Sequence, residues 1–127
     1  LLALEDNGQS GEMIGCNDSV IPVVVDIEPT VAPLTAALNE LLSLGEQYYG
    51  QSGLYNALYQ SNLNVQGVDI DNREAIIHLT GNLQLGGACD NPRVLAQLEQ
   101  TALQYATVDS VSITVNGQPL ESLLSGQ

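Results

Sequence analysis

The sequence has no lysine, phenylalanine or tryptophan, one histidine and one methionine, and its two arginines face fifteen aspartates and glutamates for a formal net charge of -13. Each absence excludes something. Without lysine there is no phosphate-loop lysine and no Schiff-base chemistry. With Arg73 and Arg93 as its only strong cations, the chain has no basic face, so nucleic acid is excluded as a partner and anionic lipid headgroups are repelled. Without Phe or Trp the core must be built from Val, Leu and Ile, and the five tyrosines are the only aromatics. No apolar run approaches the roughly 20 residues of a membrane-spanning helix. The longest, Val20 to Val25, is interrupted by Pro22, so no direct membrane insertion is expected. The two cysteines, Cys16 and Cys89, form no C-x-x-C pair and lack neighbouring histidines, which argues against zinc and thioredoxin-type chemistry.

At 127 residues the chain suits a single domain. Leu1 to Ser19 is rich in Gly, Asn, Asp, Ser and Glu without a sustained period, and reads as a leader or loop segment, residues 1–19. The domain is expected over residues 20–127. Its first strand is expected at Val20 to Ile27, with Pro22 placing the start at an edge or bulge. Pro33 suits the first position of a helix whose apolar stripe is Leu34, Ala37, Leu38, Leu41, Leu42 and Leu44, with Gly45 as terminator. Tyr55 and Tyr59, with Leu54 and Leu58, suggest a short helix over Ser52 to Gln60. Leu63 to Ile70 alternates with a slip at Gly67, which predicts a bulged strand, and a turn at Asp71-Asn72 leads to a return strand, Glu74 to Thr80. A second helix is expected to open at Asn91-Pro92, capped by Asn91, with its apolar face running from Val94 to Tyr105. The strand Ser110 to Val115 and a reversal at Asn116-Gly117 follow. Gln118 to Gln127 suggests a short strand or a frayed end.

Together these segments predict an α+β two-layer sandwich in β-α-β-β-α-β order, a small, mostly antiparallel sheet with two main helices on one face.

The chemistry-bearing residues offer few constellations. Asp69, Asp71, Asn72 and Glu74 gather oxygens but lack the Gly and distant Glu of a calcium loop, so they read as a turn with solvated carboxylates. Asp26 and Glu28 would join a cation site only beside another carboxylate. His78 points away from Ile77 and Leu79, its nearest same-side hydroxyl is Thr80, and no G-x-S-x-G elbow exists; it reads as a surface histidine. Tyr48, Tyr49, Tyr55 and Tyr59 form the candidate interaction surface, the alternative being that they pack with Leu54 and Leu58 over one end of the sheet. The sheet edges are a second candidate surface. Cys16 and Cys89 would pair in an exported protein, stabilising by about 4 kcal/mol in the chain-entropy model, and would be two free thiols in the cytosol.

From Pro33 to Leu124 the chain resembles the GerMN domain, a module of bacterial sporulation and germination proteins and of some cell-envelope lipoproteins. The resemblance is carried by the helix Leu34-Thr35-Ala36-Ala37-Leu38-Asn39-Glu40-Leu41-Leu42 and by Gly53-Leu54-Tyr55-Asn56-Ala57-Leu58. It continues in the strand pair around Val65-Gln66-Gly67-Val68 and Ala75-Ile76-Ile77-His78-Leu79, and in the closing block Val111-Ser112-Ile113-Thr114-Val115-Asn116-Gly117. It implies an extracytoplasmic domain of the bacterial cell envelope, or a secreted one, that is not an enzyme, needs no cofactor and binds no metal. Its partner would be another envelope protein or further copies of itself. The alternative function is a cation- or glycan-binding envelope module using the acidic turn or the tyrosines.

Overall fold

The computed structural model describes residues 1–4, 9, 11–23, 30, 32–48, 54–85 and 89–125. Three two-residue strands open the chain: β1 (Leu2–Ala3), β2 (Glu12–Met13) and β3 (Ser19–Val20), with β3 in the centre of an antiparallel sheet. The strand expected over Val20 to Ile27 is therefore shorter where it is described, since Ile21 to Val23 belong to no strand. Pro22 has no N–H to donate to a ladder, which fits that ending. Val24 to Ile27, with Asp26 and Glu28, lie outside the described residues.

The leader segment also differs from its expected loop. Leu2 is completely buried in the core cluster. Its N–H and C=O exchange hydrogen bonds with Tyr55 at 3.0 and 2.8 Å, so the start of the chain is bonded to the middle.

Helix α1 (Pro33–Ser43) begins at Pro33, where the missing N–H would be unpaired anyway, and buries Leu34 and Leu38. It ends as Leu44 turns to extended backbone just before Gly45. The helix expected over Ser52 to Gln60 is absent from its described part, 54–60. There the backbone of Tyr55 bridges to both Leu2 and Tyr48, and residues 57–60 form a turn. Asn56 Oδ1 accepts the Leu58 N–H at 3.0 Å, the kind of local side-chain bond that competes with helix.

The central hairpin pairs β4 (Asn62–Asp71) with β5 (Glu74–Asn82), and the register shifts between Val65 and Gly67, the bulge expected from the slip at Gly67. One consequence is that Leu63, Val65, Val68 and Ile70 all face the helices, opposite Gly81, Leu79, Ile77 and Ala75. The turn is Asn72-Arg73, one residue beyond Asp71-Asn72, with both residues in the left-handed region at φ 51° and 66°. That conformation matches the twist of a two-residue hairpin. Arg73 is held in it by its carbonyl, which accepts the N–H groups of Asp109 and Ser110, and by its guanidinium, 2.6 Å from the Asp109 carboxylate.

Helix α2 (Asp90–Leu103) starts one residue earlier than Asn91, with Cys89 at the cap. Asn91 is not the cap: its side-chain N–H donates to the Leu124 carbonyl at 2.9 Å. Pro92 still sits in the first turn, where its missing N–H removes no intrahelical bond. Strand β6 (Ser110–Val115) runs parallel to β5, making β5, α2 and β6 a crossover unit. The turn Asn116-Gly117, at φ 53° and 83°, leads to β7 (Gln118–Pro119). β7 is the short final strand expected within Gln118 to Gln127, but it is followed by helix α3 (Leu120–Ser125), because Leu120 and Leu124, one helical turn apart, are both buried in the core.

The sheet order is β4-β5-β6-β7. Ala75, Ile77, Leu79, Ile113 and Val115 share one cluster with Leu34, Leu38, Val94, Leu98 and Ala102, so the helices pack on one face as the α+β reading expects. The other face carries Ile76, His78, Thr80, Ser112 and Thr114.

Candidate interaction site

Three long-range links converge where α2 begins. The disulfide Cys16–Cys89 joins the 3-10 turn Gly15–Asn17 to the residue before the helix, with Cα atoms 5.9 Å apart. Two residues beyond Cys16, the fully buried Asp18 meets Arg93, Nε to Oδ2 at 2.6 Å. Arg93 also reaches Asp90 at 3.2 Å, and its guanidinium lies 5.3 Å from the centre of the Tyr55 ring.

One cation thus serves two buried carboxylates. Asp90, the first residue of α2, gains from the positive helix end and from Tyr55, whose hydroxyl donates to its two oxygens at 3.2 and 3.3 Å. Burial, then the neighbouring Asp90 charge, push the Tyr55 hydroxyl up to about 12. Burial alone would lower the Arg93 pKa, but the bonds and charges of Asp18 and Asp90 outweigh it and hold it above its ordinary value.

A second buried network fixes the segment after α1. Gln97 donates to Asn56 Oδ1 at 3.0 Å and accepts the Ala57 N–H at 2.7 Å. Asn56 in turn donates through its side chain to the Leu44 carbonyl and through its backbone to Gln47. Tyr48 is thereby brought beside Tyr55.

The four candidate tyrosines consequently divide. Tyr55 is interior at 6% exposure, with Tyr48 edge-on to it at 5.8 Å and Tyr59 at 6.3 Å. Tyr48 is 45% exposed and Tyr59 half-buried, while Tyr49 lies outside the described residues. A tyrosine in the core cluster and an accessible tyrosine beside it therefore coexist.

His78 bonds through Nδ1 to Thr114 Oγ1 at 2.9 Å, across β5 and β6, and not to Thr80. Asp69 and Asp71 are exposed on β4. Among the described residues, no three His, Cys, Asp or Glu side chains gather closely enough to hold a metal ion. No described helix is long and apolar enough to cross a membrane.

Sequence reasoning did not single out Asp18, Asp90, Arg93, Gln97 or Asn56. A partial signal existed in α2: Asp90, Arg93 and Gln97 lie at three- and four-residue spacings beside the apolar Val94 and Leu98, so a polar stripe borders the buried face.

Residues 6–121 match the family described as Germane: Sporulation and spore germination. The chain belongs to this family. The match begins well inside residues 1–19, and so includes Cys16 and Asp18. Among solved structures, the Germane chain is similar to the first GerMN domain of the sporulation protein GerM from Bacillus subtilis, with a TM-score of 0.64 and 21% identity over 83% of this chain and 79% of that one. At that identity the likeness is one of fold, and it agrees with the GerMN resemblance of the two helices and the central hairpin. No curated protein matches.

Proposed function

We propose that this Germane domain is a non-catalytic protein-interaction or assembly module of the bacterial cell envelope, working outside the cytoplasm. The observation that carries the reading is the Cys16–Cys89 disulfide, set beside buried networks that turn the polar chemistry of α2 inward. A disulfide is at home in an exported protein. Arg93, Gln97, Asn56 and Tyr55 are occupied in holding the fold, and His78 contacts the Thr114 hydroxyl across the sheet. Contact surfaces then account for function better than a reaction does. Tyr48, edge-on to the buried Tyr55 and 45% exposed, is an aromatic of the type that anchors interfaces.

The reading is tested by blocking thiols in the native host and measuring the intact mass, then comparing partner retention by the wild type and a Tyr48→Ala/Tyr59→Ala variant. Two protected cysteines and weaker retention by the variant are expected. Alkylation of both cysteines contradicts the location, and unchanged retention removes the tyrosine surface.

A further inference from the structure

We propose that the outer edge of β4, from Gly67 to Asp71, accepts an extended segment of a partner protein in which basic and apolar residues alternate. The inference rests on the interaction reading above and gives it a surface and a partner chemistry. Strand β4 ends the sheet order, and among the described residues no backbone group pairs along its outer side. In an antiparallel strand every second residue directs its N–H and C=O away from its neighbour, so these groups are available to an added strand. The edge is ten residues long and has neither Pro nor Lys, the residues that commonly blunt such edges. The bulge at Gln66 interrupts it and leaves Gly67 to Asp71 as a regular stretch.

The register gives this stretch two chemically different faces. Asp69 and Asp71 lie opposite Ile76 and Glu74 on the open face, while Val68 and Ile70 lie opposite Ile77 and Ala75 on the helix face. Ile70 is 47% exposed even though Ala75 and Ile77 beside it are buried. An added strand would meet carboxylates on one side and an uncovered isoleucine on the other.

The charge balance selects the occupant. The chain has no lysine, and both arginines are engaged within it, Arg73 by Asp109 and Arg93 by Asp18 and Asp90. An acidic segment would find no free cation here, and a second copy would bring the same carboxylates, which are unfavourable opposite one another. Lysine or arginine opposite Asp69 and Asp71, with valine or isoleucine over Ile70, satisfies both faces.

The test titrates the isotope-labelled chain with two capped hexapeptides, one alternating lysine and valine and the other glutamate and valine, following amide shifts by NMR. The lysine peptide is expected to move Gly67 to Asp71 and the glutamate peptide to move nothing. Asp69→Asn/Asp71→Asn, at exposed sites that leave melting unchanged, is expected to weaken binding about tenfold, as is roughly 0.5 M salt for the wild type. Unweakened binding by the variant, or no binding of the lysine peptide, overturns the proposal. Shifts confined to Tyr48 and Tyr59 overturn the edge while leaving the interaction reading standing, and self-association through β4 in sedimentation overturns the choice of occupant.

Discussion

Arg93 and Asp18 lie 75 positions apart in the sequence and meet at 2.6 Å in the interior. Their bond, the Cys16–Cys89 disulfide and the buried Leu2 tie the first part of the chain to the helix and turn that build the rest of the core.

Removing the cation takes away the positive charge that the two buried carboxylates, Asp18 and Asp90, share. Arg93→Met is therefore expected to destabilise by about 3–5 kcal/mol, the range for breaking a buried pair from one side. Asp18→Asn leaves Arg93 its second partner, Asp90, and should cost less. Urea denaturation of both variants checks the order.

The disulfide constrains the unfolded chain between cysteines 73 residues apart. Cys16→Ser/Cys89→Ser is expected to lose about 2–5 kcal/mol. The loss should be accompanied by faster amide exchange at Ile14, whose N–H bonds the Asp18 carbonyl, before exchange rises in the central hairpin.

Tyr55 provides a pH signature. Its folded pKa, about 12, is above the ordinary value of 10.0, so the folded state favours the neutral phenol. The associated stability is present below about pH 10 and is lost as pH rises through 12. A tyrosine absorbance titration should show one late-ionising group that is missing in Tyr55→Phe. The same substitution, by leaving Asp90 short of a donor, is expected to cost about 1–3 kcal/mol near neutrality.

Gly81 has a φ of 126°, and a side chain there would run into the Asn62 carbonyl. The Asn116 side chain clasps the same residue, donating to its carbonyl at 2.8 Å and accepting its N–H at 3.1 Å. Gly81→Ala should therefore lower the melting temperature far more than Gly45→Ala, where the added carbon meets nothing nearby.

Local pattern made much of the framework legible. Pro33 marked the start of α1, the slip at Gly67 marked the bulge, and Asn116-Gly117 marked the final reversal, each because a backbone requirement is written in residue type. Parts of the site were not legible in this way. The burial of Leu2 and the Asp18–Arg93 contact depend on pairings between distant segments, which carry no spacing that a single sequence displays. Tyr55 shows the same limit. Its helical spacing to Tyr59 was real, but the bridges to Leu2 and Tyr48 claimed its backbone, and tertiary pairing overrode the local pattern. The helix α3 was missed because Leu120 and Leu124 alone give too short a period to identify.

The measurement that tests the interaction claim most directly is photo-crosslinking in the native host, with benzoylphenylalanine placed at Tyr48 or, as a control, at the exposed Glu40 on α1. The account predicts a discrete adduct with an envelope protein from position 48 and none from position 40. No adduct at position 48 would contradict the tyrosine surface, and adducts formed only with cytoplasmic proteins would contradict the envelope interaction itself.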